Sequence, residues 1–201
     1  TRLEGVEKYI EETDSRPKLI VGPELNSFQK RSLELLGYKE DDLINWQSAY
    51  CNVERLIVPS MRREINPGEA SPIAYHWLRT KLREQALDVV DTTKFSNRVY
   101  ISRNDADRRR VVNEPEVLDY LDQYGFESYE LANMDVQEVV ALFAQADCIV
   151  APHGAGLTDL IHSDEIALVE LHRRDRIDCS YFMLTKHIGE WYGYLLCDQD
   201  G

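Results

Sequence analysis

No stretch of these 201 residues approaches the roughly 18–20 apolar positions that a membrane-spanning helix needs, so no transmembrane segment is expected. A leader peptide is missing too: the chain opens on Thr1 with an acidic amphipathic stretch, and a soluble, cytoplasmic protein is expected. The initiator methionine is also missing, which points to a piece of a longer protein. Four cysteines, at positions 51, 148, 179 and 197, lie far apart and form no CxxC pair, which argues against a zinc knuckle or a disulfide framework. Positive charge is in short supply, with 23 Lys and Arg against 36 Asp and Glu, and a net charge of −13. That balance speaks against a sequence-independent grip on nucleic acid or anionic lipid, so any phosphate must be met by a local site. Only 7 of the 23 basic residues are lysine, a composition that suits solubility at high salt as well as it suits a plain solvated acidic face.

What is present alternates in the manner of β and α units. "LEGVEKYIEE" (3–12) has helical spacing, "KLIVG" (18–22) is a short strand, "SFQKRSLELLG" is a helix that stops at Gly37, and "ERLIVPS" (54–60) reads as a second strand. "REINPGEASPIA" (63–74) breaks periodicity, so a linker and domain boundary are expected between residues 67 and 95. From residue 97 the rhythm is regular. Strands are expected at "RVYIS", "FESYEL", "DCIVAP", "IALVEL" and "YGYLL", joined by helices at "EPEVLDYLDQYG", "DVQEVVALFAQA", "AGLTDLIHS" and "DCSYFMLTKHIG". The fold class is therefore α/β, a Rossmann-like doubly wound parallel sheet preceded by part of a second α/β domain. Cys148, Ile149, Val150, Ile166, Leu168 and Val169 are expected in the core, while residues just past the strand ends face a crevice.

The loop "PHGAGLT" (152–158) leaves a strand for a helix start, where the N–H groups of Ala155, Gly156, Leu157 and Thr158 would lack intrahelical partners and could bind an anion. Gly154 and Gly156 would let an oxygen-rich ligand approach the main chain, or would merely permit tight packing. Two familiar motifs fail here. The dinucleotide fingerprint G-x-G-x-x-G meets Asp159 at its third glycine, and the chain has no nucleophile elbow G-x-S-x-G to accompany a hydrolase oxyanion loop.

Arg103, with Ser102 at the end of "VYISR", is placed to contact a phosphate with its guanidinium, or to pair with Asp105 or Asp107 at the surface. The D-A-D of Asp105 and Asp107 resembles a metal-binding pair of one class of sugar transferases, but acids at a loop start are far commoner than metal sites. "NEPE" (113–116) reads as a helix start in which Asn113 caps, Pro115 takes the first turn and Glu116 completes a capping box, leaving Glu114 unexplained. Glu170 interrupts an apolar strand at its carboxyl end, where it could accept bonds from ribose hydroxyls or pair with Arg173 or Arg174. His76, His162 and His187 lie on expected helices as packing or surface residues; His172 is open.

Taken in order, "YISR…RRVVNEPEV…FESYEL…VVALFAQADCIVAPHGAGLTDLI…ALVEL" resembles the C-terminal half of family 61 glycosyltransferases, a group that includes capsular-polysaccharide biosynthesis proteins and transferases of N-acetylglucosamine or xylose. The likeness spans roughly residues 95 to 197, with weaker similarity upstream. It implies a GT-B arrangement in which residues 91–201 form the donor-binding domain, with strand order 2-1-3-4-5, and residues 1–90 the tail of an acceptor-side domain and linker. It further implies an inverting transfer from a nucleotide-diphosphate sugar, UDP-linked, to a glycan or polysaccharide acceptor, with no cofactor or divalent metal required. Ser102, Arg103 and the loop from His153 to Thr158 would hold the donor phosphates, Asn113 and Glu114 would shape the pocket, Glu170 would meet the ribose, and His153 would contact the donor or act as base. The protein would lie in the cytoplasm, peripheral to the membrane through the rest of its pathway, and homo-oligomer formation stays open. A non-catalytic nucleotide-binding or assembly module on the same scaffold is the alternative.

Overall fold

The computed structural model of the protein describes residues 2–60, 71–106, 109–188 and 191–198. The chain divides into two compact units, the second beginning at Arg83. Among the described residues no helix is long and apolar enough to cross a membrane.

The first unit holds α1 (Leu3–Thr13), β1 (Leu19–Val21), α2 (Ser27–Leu35), β2 (Leu43–Asn45) and the first part of α3 (Pro72–Leu87). Asn26 starts α2 with a capping box closed by Gln29, and Gly37 follows its end at φ 82°, a conformation that costs a glycine little. β1 pairs in parallel with β2, Leu19 opposite Leu43. The strand expected at residues 54–60 does not form; Leu56 and Val58 are exposed, and the partner of β1 is the short "LIN" instead.

The second unit is built on a parallel sheet of β3 (Arg98–Ile101), β4 (Glu127–Tyr129), β5 (Cys148–Pro152), β6 (Ala167–Arg173) and β7 (Trp191–Cys197), in the order β4-β3-β5-β6-β7. The connections are α4 (Glu114–Asp122), α5 (Val136–Gln145), a 3-10 helix (Ala155–His162) and α6 (Ser180–Ile188). The third connection is thus tighter than the α-helix expected for it. Its Leu157, Leu160 and Ile161 are buried, so tertiary packing holds the eight residues in a form that is rare at this length.

Right-handed crossovers place α4 on one face of the sheet and the other three connections on the opposite face. Burial follows that division. In β6, Leu168, Glu170 and His172 are buried on one face, whereas Val169 and Leu171 are half-buried on the other and line an open cleft that His172 also borders at the strand's carboxyl end. Ile149, Ile166 and Leu168 are core as expected; Cys148 and Val169 are only partly covered. Asp135 and Glu138 cap α5, whose Val139, Val140, Leu142 and Phe143 complete the core.

Candidate functional site

β3 and β5 are neighbours, so the loops that leave their carboxyl ends start side by side. The structure brings Arg103 and the glycine turn together. A Cβ added at Gly154 would overlap the Arg103 guanidinium, and the Nε of Arg103 is buried without a hydrogen-bond partner. Gly154 is extended, with φ −178°, so its value lies in the space it leaves for that guanidinium. Gly156 serves packing: a Cβ there would meet Leu131 Cδ1 at 2.7 Å. Of the four expected N–H donors, Leu157 already bonds Gly154 O at 3.0 Å, and the tight helix likewise engages Thr158. Ala155 and Gly156 remain as the first-turn donors, and the Leu157 side chain is core.

Two buried carboxyl groups organise the two loops. Glu114, at the start of α4, accepts from Tyr100 Oη at 2.9 Å, from Ser102 Oγ at 3.1 Å and from Asn104 Nδ2. Ser102 and Asn104 flank Arg103, so Glu114 clamps the backbone on both sides of it. Burial, reinforced by the Glu114 carboxyl, pushes the Tyr100 phenol far up. This arrangement bears on three expectations. Glu114 and Ser102 face inward, at 3% and 4% exposure, with the Ser102 hydroxyl donating to the Glu114 carboxyl. Asn113 forms no side-chain cap; its Nδ2 donates to Glu116 Oε2 at 3.2 Å, and the residue is exposed on the cleft wall.

Glu170 is the second hub, with no exposed surface at all. Its Oε1 lies 2.5 Å from His153 Nδ1, while its Oε2 accepts from Tyr192 Oη at 2.8 Å and lies 3.2 Å from His172 Nε2. Both oxygens of Glu170, the acid expected to meet a ribose, are thus engaged in an inward network. His153 stacks on His172 with centroids 5.3 Å apart and packs against Tyr181 at 5.4 Å. Burial raises the Tyr192 phenol, with Glu170 adding to the effect, and burial likewise raises Tyr181. Asp178 is held low by bonds from the Ser180 hydroxyl and backbone N–H.

His153, Glu170 and His172 offer ligand atoms within 4.8 Å of one another, the spacing a metal ion would need. The chemistry fits hydrogen bonding better. The carboxylate is already met by donors, and His172 Nδ1, which a ligating ring would hold to an acceptor, is buried without one. Asp105 is exposed, and Asp107 lies outside the described residues. His172, Tyr192 and Tyr181 are the site neighbours that sequence reasoning did not single out. The Glu-x-His spacing of 170 and 172, two apart on a strand, was the available signal, since it sets both on one face.

The open face of the sheet carries a cleft of about 1210 Å³, lined by Arg109, Asn113, Val150, His153, Leu171 and Arg176 among others. A parallel sheet with a ligand-sized crevice at its carboxyl ends defines the Rossmann-like α/β class. Within that class the family described as Glycosyltransferase 61 matches residues 13–169, and the chain belongs to it: this is a glycosyltransferase. The match takes in Arg103, Glu114 and His153 and stops one residue short of Glu170. No curated protein matches the chain.

Proposed function

We propose that this glycosyltransferase moves a sugar from a nucleoside-diphosphate donor, UDP-linked, to a glycan or polysaccharide hydroxyl with inversion at the anomeric carbon. The second unit binds the donor as the donor domain of a GT-B type enzyme, and the first unit is the tail of its acceptor domain. Counted within the second unit alone, its strands run 2-1-3-4-5, and this order supports the reading because it seats the loops after β3 and β5 together.

One observation carries the proposal, the Arg103 guanidinium lying over Gly154 at the mouth of a helix start. Breaking the bond to a nucleoside diphosphate builds negative charge on the leaving phosphate. A fixed guanidinium with the N–H groups of Ala155 and Gly156 answers that charge without a divalent ion. Titration of UDP by calorimetry checks this: Arg103→Ala should weaken binding about 10–100-fold, the loss of one or two charge-assisted bonds. Unchanged affinity in that variant removes the phosphate role, and absence of UDP binding in the unmodified protein removes the donor assignment.

A further inference from the structure

We infer that Glu170 is a positioning residue that makes His153 the proton acceptor of the transfer step, an inference that rests on the donor assignment above. The argument begins with the number of protons the network can hold. Glu170 is fully buried and meets three donors-in-waiting: His153 Nδ1, His172 Nε2 and Tyr192 Oη. A carboxylate only accepts, so each ring presents an N–H to it. His172 Nδ1 is buried with no partner. A proton there would be a stranded donor, so His172 is neutral with its hydrogen on Nε2, shared between Glu170 Oε2 and Tyr192 Oη at 3.3 Å.

The contact at Nδ1 orients the other ring. With a hydrogen on Nδ1 directed at Glu170 Oε1, the neutral form of His153 carries its lone pair on Nε2, and the side chain, 19% exposed, lines the cleft. Stacking on His172 and the edge of Tyr181 hold the plane of the ring. The groups that face His153 or its partners are Glu170 and His172 from β6, Tyr192 and Tyr194 from β7, Tyr181 from α6, Asp178 before α6, Arg103 beside Gly154, and Arg109 and Arg176 across the cleft.

In the transfer step the acceptor hydroxyl gives its proton to His153 Nε2 as its oxygen bonds to the anomeric carbon. The bond from that carbon to the diphosphate oxygen breaks, and its electron pair leaves on the phosphate held at Arg103. Glu170 faces the imidazolium so formed and stabilises it without taking the proton.

The test uses side-chain nitrogen and proton NMR of the histidines, UDP calorimetry, and release of UDP from UDP-N-acetylglucosamine and UDP-xylose with water as acceptor. The unmodified protein should show His153 with its proton on Nδ1 in a strongly hydrogen-bonded, low-field resonance. Glu170→Gln should abolish that resonance, lower kcat about 100-fold or more, move the acidic limb of the rate profile to lower pH, and leave UDP affinity within about threefold. Glu170→Asp should restore part of kcat. If Glu170→Gln does not fold, Tyr192→Phe replaces it, with a smaller loss of kcat and a shifted resonance. His153 protonated only on Nε2 in the unmodified protein overturns the inference, as does a folded Glu170→Gln that keeps its turnover or loses UDP affinity in step with kcat. Failure of the unmodified protein to release UDP from either donor counts against the function proposed above, while the resonance still decides the role of Glu170.

Discussion

Glu114 and Glu170 are both buried carboxyl groups with three neighbours at hydrogen-bonding distance, yet they differ in what surrounds them. Glu114 is met by two hydroxyls and an amide, none of which changes charge near neutral pH. Glu170 is met by one hydroxyl and two imidazoles, and one of these rings, His153, also lines the cleft. The first network fixes a backbone segment and can hold it through a reaction unchanged. The second can take up a proton and respond to it. The buried acid is the same in each case, and its donors decide whether it is a clamp or a partner in chemistry.

The largest expected effect comes from breaking the clamp. Glu114→Ala strands Tyr100, Ser102 and Asn104 and should cost about 3 kcal/mol in urea unfolding, with UDP affinity falling because Arg103 loses its anchors. An unchanged unfolding midpoint would dissolve the distinction between the two hubs.

A third acid sharpens the comparison from the other side. Asp159 sits low in the surface with its nearest described imidazole nitrogen, His162 Nε2, at 3.9 Å, and burial alone pushes it up to about 7. Between its ordinary value of 3.8 and about 7 the folded protein keeps a proton that the unfolded chain has released. Stability contributed by that proton is fully present below 3.8 and is lost as pH rises through about 7. Asp159→Asn should flatten this slope in unfolding curves taken from pH 4 to 8; a slope that survives the substitution assigns the effect elsewhere. The smallest change is Tyr100→Phe, which removes one of the three bonds to Glu114 and should cost about 1 kcal/mol, checked by the same unfolding measurement.

The parallel sheet was legible because β3, β5 and β6 are apolar bursts closed by turn residues and helical spacing separates the strands; the polar β4, Glu-Ser-Tyr, was found from its place between two helices. β2 was not, because three residues carry almost no periodicity and "ERLIVPS" is the more apolar segment. Strand formation needs a partner, which composition does not reveal. At the site, Arg103 and the glycine turn could be read from their places at strand ends. The inward turn of Glu114 could not: in the sequence it looks like any first-turn acid, and only the docking of α4 against Tyr100 and Ser102 buries it. Asn113 shows the converse, a residue type suited to capping that spends its side chain on Glu116. For Glu170 the position was found and the partner missed, since His153 arrives from a different strand and Tyr192 from the next.

Leu168, Glu170 and His172 alternate along β6, so the hydrophobic interior and the imidazole network are written in one reading frame of the pleat. A single inserted residue between positions 167 and 170 would turn the acid and His172 toward the open cleft and bring Leu171 beneath the ring of His153. Slippage of this strand would thus cost the protein its packing and the carboxylate beneath His153 in one event, and neither loss could be repaired by a substitution at the other.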